Sequence, residues 1–220
     1  RQMCIRDSKQ TSSTEQKTEE KTEEKKEEKT EEKTEENKEE AQEPTADNPM
    51  IVDEANKQIK VYAEVNDKFK NESTMHAIVA KSGKNNEQSM FVSHANQNDL
   101  YDALEKLGGK PGNNVNMDNM GKEAVKGDKI DLTFKFQGSD NEQGINDVIK
   151  DSSGKEFDIR FGGNQKPAKD MNTGCMTCLQ SCPLGITSNA NQLIGADEKD
   201  GVKYTLADSV PADKTPVVIT

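Results

Sequence analysis

Residues 129–137 read KIDLTFKFQ, and this stretch decides the fold. Ile130, Leu132, Phe134 and Phe136 take every second position, with charged or polar residues between them. Successive side chains of a strand point to opposite faces, so this period of two predicts a half-buried β-strand. Further along the chain, Glu156–Phe161 alternates Phe157, Ile159 and Phe161 after the turn residues DSSG, and Val202–Leu206 and Val217–Ile219 predict two more strands. Before it, Ile51–Asp53 and Gln58–Val65 flank the polar turn EANK and predict an opening hairpin, with Ile59, Val61, Ala63 and Val65 in alternation. Met75–Lys81 and Ser89–Ser93 form a second pair joined by SGKNNEQ, whose Gly and Asn residues suit a turn. One helix is predicted over Leu100–Leu107, capped by Asn98 or Asp99 and stopped at Gly108, with Leu100, Ala103, Leu104 and Leu107 on one face. These patterns predict an α+β, β-rich domain over residues 49–220: an antiparallel sheet or sheets with one main helix, preceded by a disordered charged tether.

The tether is read over residues 9–48. From Lys17 to Glu40 the chain runs KTEE, KTEE, KKEE, KTEE, KTEE, NKEE, without one apolar residue. No core can form from such a segment, and period four sets Lys on Lys and Glu on Glu at i,i+4, which disfavours a stable helix. A Ser/Thr-rich start, a charged repeat and then a folded domain resemble the region after the lipidated cysteine of Gram-positive surface lipoproteins. The expectation is therefore an extracytoplasmic, membrane-anchored chain. The opening RQMCIRDS, residues 1–8, resembles a translated sequencing or assembly artefact. On that reading Cys4 has no role, and the natural N-terminus is missing, with any signal peptide or lipid anchor it carried.

Charge removes one class of partner. Residues 1–48 hold 10 Lys+Arg against 16 Asp+Glu, and residues 49–220 hold 20 against 25, so both parts are acidic. Nucleic-acid binders draw affinity from basic surfaces that neutralise phosphates, and no such partner is expected. No apolar run is long enough to span a bilayer.

The concentrated chemistry lies at residues 171–190, a segment without a charged residue. GCMTCLQSCPLG sets Cys175, Cys178 and Cys182 in the pattern C-x-x-C-x-x-x-C-P. Bacterial ferredoxins use C-x₂-C-x₂-C-x₃-C-P, whose short spacings let one loop wrap several thiolates around an iron–sulfur cluster. The last three ligands of that run are present, and Asn172 stands where the first would be. A fourth ligand would come from His76, His94, a carboxylate or a small molecule. Three other readings stay open: a C-x-x-C disulfide between Cys175 and Cys178 with one free thiol, a Cys₃His zinc site, and soft-metal binding such as copper assisted by Met171 and Met176. Acidic residues are too many for any pair to be singled out as a catalytic acid and base.

Taken in order, VYAEVNDKF, TMHAIVAK, LYDALEKLGGKPGNNV, IRFGGN and TGCMTCLQSCPLGITSNA resemble the YdjY family of small bacterial proteins, over roughly residues 48–220. The resemblance implies an exported domain with a ferredoxin-like label, in which Cys175, Cys178, Cys182 and His76 are the matching metal-site candidates. The expected function is a surface-tethered redox or metal-binding module that holds an iron–sulfur cluster for electron transfer with an unnamed redox partner. The alternatives are a non-catalytic extracytoplasmic binding domain whose cysteines are structural, and a thiol–disulfide redox protein.

Overall fold

The computed structural model describes residues 42–220. The opening octapeptide, Cys4 and the KTEE repeat lie outside the described residues. Of the segment read as tether, residues 42–48 are described, and Glu43 there is 3.2 Å from the Lys60 ammonium.

The alternation of residues 58–65 produces the expected hairpin. β1 (Met50–Asp53) pairs antiparallel with β2 (Gln58–Val65), and Val61, Ala63 and Val65 are buried. β3 (His76–Ala80) and β4 (Ser89–Ser93) follow, then α1 (Gln97–Lys106). The Asn96 side chain caps α1 by accepting from Asn98 N–H at 2.7 Å, and Gly108 leaves it with φ of +90°. The KIDLTFKFQ stretch supplies β5 (Thr133–Phe136), which buries Phe134 and Phe136, and β6 (Glu142–Gly144) folds back on it. Short elements complete the chain: α2 (Ile145–Val148), β7 (Ile149–Asp151), β8 (Ile159–Phe161), α3 (Gln165–Met171), β9 (Cys175–Cys178), β10 (Thr187–Asn189), α4 (Ala196–Lys199), β11 (Tyr204–Leu206) and β12 (Pro216–Ile219).

Among the described residues nine strands form one sheet in the order β6-β5-β12-β2-β4-β3-β9-β10-β8, with β1 as a tenth strand on β2, and the sheet curls into a half-barrel. β7 and β11 make a separate antiparallel pair. Phe91 packs on Phe134 and Phe136 with ring centroids 5.0 and 6.4 Å apart, at the centre of the main apolar cluster. A second cluster joins Leu104 of α1 to Phe161, Ala168 and Ile186.

This architecture corrects the antiparallel sheet with one main helix. The sheet is mixed, because β3 runs parallel to β4 and β9 runs parallel to β10, and the helices are minor elements of four to ten residues. The reason lies in residues 81–88, which read as a hairpin turn and act as a return crossover. Lys84 N–H donates to Asn172 O and Asn85 N–H to Thr173 O, so the connector crosses the turn between α3 and β9. A Cβ on Gly83 would lie 2.3 Å from Gly174 Cα. Gly83 is therefore required for a close backbone approach between two segments, a role that local sequence cannot separate from turn formation.

Candidate functional site

β9 was read as part of a ligand loop and is instead a buried inner strand. It lies between β3, to which it runs antiparallel, and β10, to which it runs parallel. The chain enters it through two left-handed residues, Asn172 at φ +49° and Gly174 at φ +75°. Ala80 N–H donates to Gly174 O at 2.8 Å and fixes that entry. His76 is the Cα partner of Cys178, and the register shifts on either side of Ile78. Such irregularity breaks the strict two-residue alternation.

The loop that carries Cys182 is held by the GGN of IRFGGN. Asn164 Nδ2 donates to Cys182 O at 3.1 Å and to Gly185 O at 3.4 Å, and Gly163 N–H donates to Ile186 O at 3.0 Å. Asn164 is itself buried and left-handed, with φ of +53°. A Cβ on Gly163 would stand 2.2 Å from Asn113 Oδ1, so the close packing there needs glycine.

Cys175, Cys178 and Cys182 are 1%, 0% and 6% exposed, and none is disulfide-bonded to another described residue. Each has its own surroundings. Cys175 Sγ is 3.6 Å from His76 Nδ1 and accepts from Asn85 Nδ2 at 3.6 Å. Burial pushes the Cys175 thiol up to about 11, against the lowering effect of Asn85. Cys178 and Cys182 form a couple. The Cys178 thiol donates to Cys182, which lowers the pKa of Cys182 and, with burial, raises that of Cys178. Leu184 N–H donates to Cys182 Sγ at 3.4 Å and also favours its thiolate. The first proton to leave the couple therefore comes from Cys182. Burial lowers the pKa of His76, with the Asp197 carboxylate opposing the shift.

The remaining imidazole lies elsewhere. His94 Nε2 is 3.0 Å from Glu64 Oε1, and its ring meets Tyr62 edge to face at 5.1 Å. Met176 packs in the main apolar core and Met171 is 48% exposed. Several residues around the thiols carried no legible signal. Buried Gln180 donates to Asp197 Oδ1 at 2.9 Å and accepts from Gly195 N–H at 2.8 Å, which orients the carboxylate acting on His76. Ser188 Oγ is buried without a hydrogen-bond partner among the described residues, and Tyr204 Oη has none of good geometry there, although Gln180 lies near enough to oppose the rise of its pKa. Ser188 is the Cα partner of Cys178, and a Cys178 thiolate is among the charges that raise the pKa of Tyr204, after burial as the main cause. Among the described residues no three His, Cys, Asp or Glu side chains are arranged to hold one metal ion.

A curled mixed β-sheet with three free thiols on and beside an inner strand defines a β-rich domain with a buried cysteine site. The sequence model of the YdjY domain family matches residues 50–220. The chain is also 42% identical over 174 residues to the uncharacterized protein YdjY of Escherichia coli (strain K12), covering 78% of this chain and 77% of that relative. It belongs to the YdjY domain family. No solved structure matches it.

Proposed function

We propose that the domain is a redox or metal-binding module working through Cys175, Cys178 and Cys182, and that an iron–sulfur cluster is the group this donor set suits best. The observation that carries the reading is the burial of three free thiols in a segment without a charged residue. Hydrogen-bond donors at sulfur are what a thiolate-ligated cluster uses, and Leu184 N–H and Asn85 Nδ2 supply two. Ser188, the Cα partner of Cys178, adds a buried hydroxyl without a hydrogen-bond partner among the described residues. Bound there, a cluster would supply one-electron transfer. The chain's own residues hold the loop through Asn164, exclude water from the sulfurs, and place His76 beside Cys175.

A second reading rests on the Cys178–Cys182 couple. A thiol that donates to a neighbour of lowered pKa is the arrangement of a dithiol pair. Oxidation by a partner disulfide would form the Cys178–Cys182 S–S bond, pass two electrons and two protons to the partner, and leave that partner as two thiols. In either case we place the domain outside the cytoplasm, on a charged tether that leads to a membrane anchor. The KTEE repeat and the lipoprotein-like start support that location. No described helix is long and apolar enough to cross a membrane.

The test is anaerobic purification of the full chain, with absorption spectra and iron, sulfide, zinc and copper analysis on one sample. Broad absorption near ~400 nm with stoichiometric iron and sulfide, lost in Cys178→Ser, is the expected result. A colourless, metal-free chain with a Cys178–Cys182 disulfide after mild oxidation gives the site to thiol chemistry. Stoichiometric zinc or copper, lost in Cys178→Ser, refutes both the cluster and the dithiol pair and leaves a site for a single metal ion.

A further inference from the structure

The curl of the sheet creates a second feature that the thiols do not use. Between α1 and the sheet lies a cleft of about 440 Å³, a size ordinary for small-molecule sites. Its walls are Ile59, Ile78, Leu100, Leu104, Ile130 and Met176. Ile59, Leu100 and Ile130 are only half-buried, so apolar surface from three separate segments faces the opening. None of the three cysteines lines it.

The polar groups of the cleft decide what it would accept. Inside, Thr177 and Thr187 hydroxyls lie 2.9 Å apart and Thr187 donates to Met176 O at 3.0 Å, so both are satisfied within the protein. At the rim, Lys129 pairs with Asp131 at 3.2 Å and Thr133 donates to Glu142 at 3.1 Å. Among the described residues Lys57 and Glu142 form no ion pair, so the charges near the cleft stand at its rim and not along its apolar walls. An ionic head group drawn between the apolar walls would meet no charged group and no free hydroxyl there and would lose its hydration without a partner. We infer that this cleft is a binding site for a neutral, apolar small molecule.

Two fluorescent probes of nearly the same shape test this on the full chain: neutral N-phenyl-1-naphthylamine and its anionic sulfonate, 8-anilino-1-naphthalenesulfonate. The neutral probe is expected to bind saturably and at least about tenfold more tightly than the sulfonate. Ile130→Trp and, independently, Leu100→Trp fill the cleft from half-buried positions. Each is expected to weaken the neutral probe about tenfold or more while the circular dichroism spectrum is retained, and two positions keep the test alive should one variant misfold. Met117→Ser, at an exposed residue away from the cleft, should leave affinity unchanged. Absence of saturable binding by the folded chain, equal or tighter sulfonate binding, or affinity indifferent to both tryptophans overturns the inference. So does probe binding that disappears as the chain dimerises, which would give the cleft to a second copy.

Discussion

The two halves of the sheet are buried by different means. Around β5, β12 and β2 the interior is aromatic and aliphatic, with Phe91, Phe134, Phe136, Val217 and Ile219 closing on one another. Around β9 and β10 the interior is polar: Thr177, Gln180, Ser181, Thr187, Ser188 and Asn189 are all buried beside the cysteines. The first half is held by area removed from water, which tolerates local adjustment. The second is held by paired donors and acceptors and by backbone contacts that admit only glycine, so one lost partner leaves another stranded.

Substitutions should separate the two. The largest effect is expected from Phe134→Ala, which removes a buried ring and costs about 3–5 kcal/mol in urea unfolding, with cysteine reactivity per folded molecule unchanged. Asn164→Ala should cost less, about 1–3 kcal/mol, because Cys182 O and Gly185 O lose a shared donor. Its distinguishing mark is faster alkylation of Cys182, read by mass spectrometry under native conditions. If Asn164→Ala leaves that rate unchanged, the loop is not held from IRFGGN.

The pH response sharpens the contrast further. The folded-state pKa of His76 is lowered, so the unfolded chain binds its proton more readily. The His76 contribution is therefore present above the ordinary histidine value and is lost as pH falls through and below it. Wild type should lose more melting temperature than His76→Gln between pH 7.5 and pH 5.5. Cys175 has the opposite sign, since its raised pKa gives stability that fades from about 9 up to about 11. The smallest effect is expected from Tyr204→Phe, which removes a buried hydroxyl without a partner. Stability should stay within about 1 kcal/mol of wild type or rise. Should the purified chain carry iron, a loss of that iron in Tyr204→Phe would assign the hydroxyl to the surroundings of the bound group.

The aromatic half was legible because alternation reports a half-buried face directly: Val61, Ala63 and Val65, or Phe134 and Phe136, announce both strand and burial. Parallel pairing was not legible. The eight residues between β3 and β4 carry turn-forming types, and nothing local reveals that Gly83 rests on Gly174 about ninety positions later. β9 was hidden for a related reason, since Cys-Met-Thr-Cys has no alternation of polarity and is buried on both faces. At the site, the cysteine spacing and IRFGGN stood out, whereas Gln180, Asp197, Ser188 and Tyr204 are ordinary residue types gathered only by the fold.

The placement of β12 bears on when the domain can form. Residues 216–219 lie between β5 and β2, well inside the strand order, so the sheet has a gap until they arrive. During synthesis the earlier strands wait, with the β2 and β5 edges unpaired, for the last segment of the domain to be made. Long-range pairing of this type slows folding and lengthens the time an open edge is available to another chain. Truncation just before Pro216 should therefore yield aggregates rather than a weakened native domain.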